Sequence, residues 1–277
     1  MTSMATTLRR TPPLPGAIQA ALVASLLAVA AVCWVVTDDR MGGMDGGPGT
    51  ELGGLGWFIV VWVTMMAAMM LPSLAPMVLG RARIEHATLG GAGAAATAAI
   101  FVAGYLLVWA AAGLLAYAIV EGVRALDIGF LSWDDAGPYI AGAVIVAAAV
   151  YQLTRPKQVC LTHCRSPEML LDGWRPGPVG ALRMGVEHGR YCVGSSGAMM
   201  AALFALGVMS VGWMAFIAAL IAVEKLLPWR AVATRSIAVL LVVLGLAVAF
   251  VPDDVPGLTI PGSSDSMGTM QMGMTSR

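Results

Sequence analysis

Seven stretches of this chain are apolar over roughly the length that a helix needs to cross a lipid bilayer. A hydrocarbon core about 30 Å thick needs about 20 apolar residues per helix. The stretches are Ala17 to Val36, Trp57 to Leu79, Ala92 to Val120, Gly137 to Leu153, Arg183 to Leu206, Val208 to Leu227 and Ala231 to Val251. This pattern predicts an all-α fold, a polytopic transmembrane bundle of about seven spans.

The composition excludes the main soluble classes of protein. Hydrophobic residues make up 58% of the 277 residues and charged residues 12%, whereas soluble domains are about 25% charged. A water-soluble enzyme, a disordered chain and a disulfide-stapled secreted domain are therefore excluded. The net charge is zero, so we expect membrane lipid and no nucleic acid as a partner.

The positions of lysine and arginine predict the orientation. With the N-terminus in the cytoplasm, twelve of these residues fall on the cytoplasmic side and three on the other. We therefore expect a multi-pass protein of a bacterial inner membrane with its C-terminus outside. The expected units are a cytoplasmic tail (1–16), a transmembrane domain (17–251) containing a cytoplasmic loop (154–182), and a disordered, methionine-rich extracytoplasmic tail (252–277).

Cysteine and histidine gather near the predicted cytoplasmic face. Five of them lie within 33 residues: Cys160, His163, Cys164, His188 and Cys192. Thiolate and imidazole are ligands of Cu(I) and zinc, and an i, i+4 pair such as His188 and Cys192 shares one helical face. The alternative is that the loop cysteines are free thiols and His188 is hydrogen-bonded at a helix end. Cys33 stands alone, and we interpret it as a packing residue.

Methionines extend this pattern into the predicted membrane. Met65, Met66, Met69 and Met70 form two adjoining i, i+4 ladders before Pro72, which is expected to kink the helix. On the fifth predicted span, His188, Cys192, Ser195 and Met199 share one face, and Met200 adjoins it. Thioethers suit Cu(I), although methionine also fills irregular apolar gaps.

Two predicted outer segments carry further methionines. They are residues 41–49 and 261–277, which are rich in glycine, serine and methionine and are expected to be disordered. Such segments have no core for methionine to fill, so we interpret their methionines as groups that capture Cu(I). The alternative is a low-complexity tail in which the methionines occur by chance.

Four motifs together resemble a family of predicted metal-binding integral membrane proteins that is known as a domain of unknown function. They are Met65–Ser73, Cys160–Pro167, Arg183–Cys192 and Glu224–Pro228, and the resemblance covers roughly residues 56–228. It implies metal binding and no particular reaction. The chain departs from its relatives at Ser195 and Ser196, where they usually have a pair of cysteines.

The sequence therefore predicts a membrane protein that binds a soft transition metal for transport or delivery, and Cu(I) is the metal we expect. The outer methionines would capture the ion, Met65, Met66, Met69, Met70, Met199 and Met200 would relay it, and the cysteine and histidine cluster would receive it. We expect no catalytic residues. The alternatives are a non-transporting assembly factor or subunit of a membrane copper enzyme, and a zinc or redox membrane enzyme. A copper chaperone or membrane cuproenzyme is the expected partner.

Overall fold

The computed structural model describes residues 13–41, 54–125, 137–166, 174–206, 210–227, 229–252 and 255. These residues form eight helices and, within those ranges, no strands, which confirms the predicted all-α class. The helices are α1 (Gly16–Met41), α2 (Leu55–Ala87), α3 (Leu89–Val123), α4 (Gly137–Gln152), α5 (Arg155–Arg165), α6 (Gly177–Leu206), α7 (Val211–Leu226) and α8 (Arg230–Phe250).

Each of the seven predicted stretches overlaps one of the described helices, but the count of seven spans is not confirmed. Four helices, α1, α2, α3 and α8, are long and apolar enough to cross a membrane. A fifth is added if α4 and α5, which meet at an angle of 68°, form one broken span. Helix α7 has only 16 residues, and α6 carries polar groups such as Arg183, Glu187 and Arg190.

Helices α2 and α3 form an almost continuous helical run, and the break lies at Gly90. Gly90 has a φ angle of 73°, in the left-handed region that favours glycine. Pro72 and Pro76 both lie within α2, and Gly90 is the one position of the run with non-helical backbone angles. The backbone break therefore falls near the end of α2 and not at Pro72. The second predicted stretch also ends too early, because α2 continues past Leu79 to Ala87.

Helix α6 occupies the centre of the described fold. It contacts α2 and α3, α4, α5 and α7, while α1 lies against α2 and α3, and α4 pairs with α8. Gly142 and Gly245 allow close approach of α4 and α8, since a Cβ atom on either would collide with the facing helix. The central position of α6 brings the face that bears His188, Cys192 and Ser195 into contact with residues from several helices.

The outer methionine-rich segments cannot be compared with the structure. Met41 is the last residue of α1, and residues 42–49 and 261–277 lie outside the described residues. The orientation and the division into tails and domain also stay predictions. The long apolar helices are compatible with insertion into a membrane.

Candidate metal centre

The predicted cytoplasmic loop begins as helix α5, which carries three of the candidate ligands. It starts after Thr154 with a proline in its first turn, where the missing N–H group costs nothing. Lys157, Leu161 and Cys164 are buried, at the i, i+4, i+7 spacing of one helical face. This face packs on α6. Cys164 therefore points into the fold from a regular helix.

Cys164 and Cys192 bring two thiols together from α5 and α6. The two thiols are near enough to interact electrostatically, and both cysteines are free and buried. The Cys164 Sγ atom is also 3.5 Å from the hydroxyl oxygen of Ser195, which donates to the Cys192 carbonyl oxygen at 3.0 Å. A shared metal site requires such proximity, because metal–sulfur bonds are about 2.3 Å long. Their common neighbour Ser195 places the two cysteines next to each other across the contact between α5 and α6.

Two further helices contribute polar groups to the Cys192 thiol. The Tyr105 hydroxyl on α3 lies 3.0 Å from its Sγ atom, and the Lys225 ammonium on α7 also lies 3.0 Å from it. The Lys225 Nζ atom is 4.0 Å from the Met70 sulfur on α2. An ammonium group and a hydroxyl at hydrogen-bonding distance both stabilise a negatively charged sulfur. We call Cys164, Cys192, Tyr105, Lys225 and Met70 the sulfur cluster.

His188 lies one helical turn before Cys192 and is almost completely buried. Its ring packs between two aromatic residues of α3, with ring centroids 6.0 Å from Phe101 and 5.8 Å from Tyr105. The four residues expected on one face of α6, His188, Cys192, Ser195 and Met199, are all buried. His188 is thus beside the sulfur cluster on the same helix face.

Cys160 and His163 flank the cluster on α5. The Cys160 sulfur lies over Gly194, 2.6 Å from where a Cβ atom would stand on that glycine. The His163 ring stacks on Tyr191 with centroids 4.2 Å apart, and its Nδ1 atom is 2.9 Å from the Val159 carbonyl oxygen. Across the described ranges, no three histidine, cysteine, aspartate or glutamate residues are grouped so that they could hold a metal ion. Of the candidate ligands, Cys164 and Cys192 are the two that share Ser195 as a neighbour.

The six candidate methionines are core residues. Met65, Met66, Met69, Met70, Met199 and Met200 are all at most 5% exposed and belong to one hydrophobic cluster. Met70 reaches the sulfur cluster through its contact with Lys225. Both the packing role and a role as soft ligands are compatible with these positions, so the relay stays a proposal.

Glu224 and Lys225 are adjacent in the chain but contact different partners. Glu224 is 1% exposed and accepts from the Lys157 ammonium and, at 3.0 Å, from the Thr234 hydroxyl. Arg165 donates to the carbonyl oxygens of Glu224, at 2.7 Å, and of Leu227. Glu224 therefore connects α7 to α5 and α8 through its contacts with Lys157 and Thr234, whereas Lys225 contacts the Cys192 thiol.

Tyr105 and Lys225 are the site residues that metal-ligand reasoning missed, because neither is a usual ligand. A usable signal was present for Lys225. A lysine next to an apolar span is costly unless it has a partner, and the chain offers few buried groups that bear negative charge. Cys192 is such a partner.

The described fold and site define a class of protein: an all-α chain with several potential membrane-spanning helices and two unpaired, buried thiols beside an ammonium group. A family model described as PpoB2: Copper chaperone matches residues 59–248, which is more than half of the chain. The chain therefore belongs to the PpoB2 copper chaperone family. The match includes α5, α6, α7 and every residue of the sulfur cluster. No curated protein and no solved structure matches the chain.

Proposed function

We propose that this protein binds Cu(I) between Cys164 and Cys192 inside a bacterial inner membrane and delivers the ion to a membrane cuproenzyme. The observation that carries the proposal is the proximity of two free, buried cysteines from different helices, which both contact Ser195. Membership of a copper chaperone family supports copper as the ion. Thiolate and thioether sulfur are soft ligands that suit Cu(I), which fits a pair of thiols beside Met70.

The arrangement favours reversible binding over permanent storage. Cu(I) can be held by two thiolates and accepts a third soft ligand, so Met70 and His188 can exchange with an incoming donor. Cys160 and His163 both lie on α5, beside Cys164, and would pass the ion between the thiol pair and the surface. Burial excludes water and protects the monovalent state of the ion.

Delivery is favoured over transport by the family description, which names a chaperone. Transport stays the second candidate because of the buried methionines on α2 and α6. In that function Met65, Met66, Met69, Met199 and Met200 would relay Cu(I) from the outer methionine-rich segments to the thiols. Import would follow from the increase in ligand strength from thioether to thiolate.

The binding step is tested on the full chain, purified in detergent under reducing, anaerobic conditions. Cu(I) affinity is measured by competition with a chromophoric chelator for the wild type, for Cys164→Ser with Cys192→Ser, and for Cys33→Ser as the matched control. We expect loss of one tight site in the double variant and no change in the control. Equal affinity in all three proteins would refute the proposed site.

The cellular role is tested with the same variants in a strain that lacks the gene. Delivery predicts unchanged cell-associated copper and reduced activity of a membrane cuproenzyme in the double variant. Transport predicts that both decrease. If neither changes while Cys33→Ser behaves as wild type, the proposed copper function is refuted.

A further inference from the structure

Lys225 places a full positive charge directly beside the thiol pair. Its Nζ atom is 3.0 Å from the Cys192 sulfur, while Cys164 and Cys192 are buried at 5% and 0% exposure. The other polar neighbour of this thiol, Tyr105, is a neutral phenol. A fixed ammonium therefore contributes to the charge balance of any ion bound between the two sulfurs.

The nearest other charges compensate each other. The Glu224 carboxylate pairs with the Lys157 ammonium, and both residues are buried. The Arg165 guanidinium donates to carbonyl oxygens at the end of α7. His188 is a further ionisable group near the pair, as a buried ring between Phe101 and Tyr105. Lys225 is the cationic side chain at hydrogen-bonding distance from the Cys192 sulfur.

The consequence is clearest when the charges of the loaded site are summed. Two thiolates, one monovalent ion and one ammonium group give a neutral cluster. With a divalent ion, the same groups carry one uncompensated positive charge. An unbalanced buried charge is strongly unfavourable because protein interiors solvate ions poorly.

We infer that Lys225 is a specificity-determining residue that makes the thiol pair select monovalent soft ions, Cu(I) and Ag(I), over divalent ones such as Zn(II). This inference rests on the proposed function, because it concerns the ion held by Cys164 and Cys192. It assigns Lys225 no role as a ligand. The ammonium acts as the counter-charge of the anionic dithiolate complex.

The test compares Ag(I) and Zn(II) affinities of the full-length protein, by competition with chelators of known affinity. Lys225→Gln and Lys225→Leu remove the charge, and Lys225→Arg retains it. Lys225→Met is avoided because its thioether would add a soft ligand. Loss of the charge should weaken Ag(I) binding, strengthen Zn(II) binding, and change the affinity ratio by at least about tenfold, from a Coulomb interaction at roughly 4 Å. Lys225→Arg should keep the wild-type ratio.

Opposite changes in the two affinities separate selectivity from general damage, since a misfolded site would lose both ions. Two neutral variants are used because one of them could fail to fold, which is checked by circular dichroism and gel filtration. An unchanged Ag(I)-to-Zn(II) ratio in a folded neutral variant would overturn the inference. Failure of the proposed function would be seen separately, as wild-type Ag(I) binding that survives the double Cys164→Ser, Cys192→Ser substitution.

Discussion

Gly185 offers the sharpest test of how the fold positions the site. A Cβ atom at this position would collide with the carbonyl group of Phe101 and lie 3.0 Å from the backbone nitrogen of Tyr105. Gly104 makes the reciprocal contact with the backbone of α6. Because the obstacles are backbone atoms, rotation of a side chain cannot relieve them. Gly185→Ala must therefore push α3 and α6 apart.

The expected magnitude follows from two opposing effects. Overpacking a close contact costs about 1–3 kcal/mol, and replacing glycine by alanine in a helix contributes up to about 1 kcal/mol of stabilisation. We expect Gly185→Ala to be destabilised by about 1–2 kcal/mol. The separation should also break the 3.0 Å contact between Tyr105 and Cys192, and so weaken Cu(I) binding.

Gly122→Ala on α3 is the matched control, because nothing lies within 4 Å of the Cβ position there. It should gain up to about 1 kcal/mol and leave Cu(I) affinity unchanged. The assay is thermal unfolding in detergent, followed by circular dichroism, together with Cu(I) competition. If Gly185→Ala is as stable and binds Cu(I) as tightly as Gly122→Ala, the close α3–α6 contact does not position the site.

Two further substitutions test the groups around the thiols. Glu224→Gln should lower the free energy of unfolding by about 3–5 kcal/mol, since it leaves the buried Lys157 ammonium without its counter-charge. Thermal unfolding measures this change against Glu187→Gln, an exposed control. Equal melting temperatures of the two variants would contradict the prediction. Tyr105→Phe removes the hydroxyl that contacts Cys192, so Cu(I) affinity should fall by roughly tenfold, as for other outer-shell partners. Competition titration checks it against the exposed control Tyr139→Phe, and identical affinities would refute the role of the phenol.

The helices of this fold could be predicted from the sequence because each apolar stretch has about the length of a helix that crosses a bilayer. The boundaries were less accessible. The loop around Arg81 was expected because a charged residue rarely ends in a core. In the structure its guanidinium is buried, paired with Glu85 at 2.5 Å and donating to the Met184 sulfur at 2.8 Å. The Glu85 partner is only four residues away, but the contact with Met184 spans 103 residues, and no local pattern reveals it.

The site was predictable in its residue types and not in its geometry. Spacing along α6 identified one face bearing His188 and Cys192, since helical periodicity is local. Which residue of α5 meets that face depends on how α5 packs against α6, and this contact selects Cys164 over Cys160 and His163. The contact of Lys225 with Cys192 was not predictable for the same reason, because it depends on how α7 packs beside α6.

The central claim is that Cys164 and Cys192 together hold Cu(I). X-ray absorption at the copper edge, on the full chain loaded with one equivalent of Cu(I), tests it most directly. We expect sulfur ligands at about 2.3 Å from copper in the wild type and in the double control variant Cys33→Ser, Cys160→Ser. In the double variant Cys164→Ser, Cys192→Ser we expect these ligands to be lost. The same sulfur signal in all three proteins, or nitrogen and oxygen ligands alone in the wild type, would contradict it.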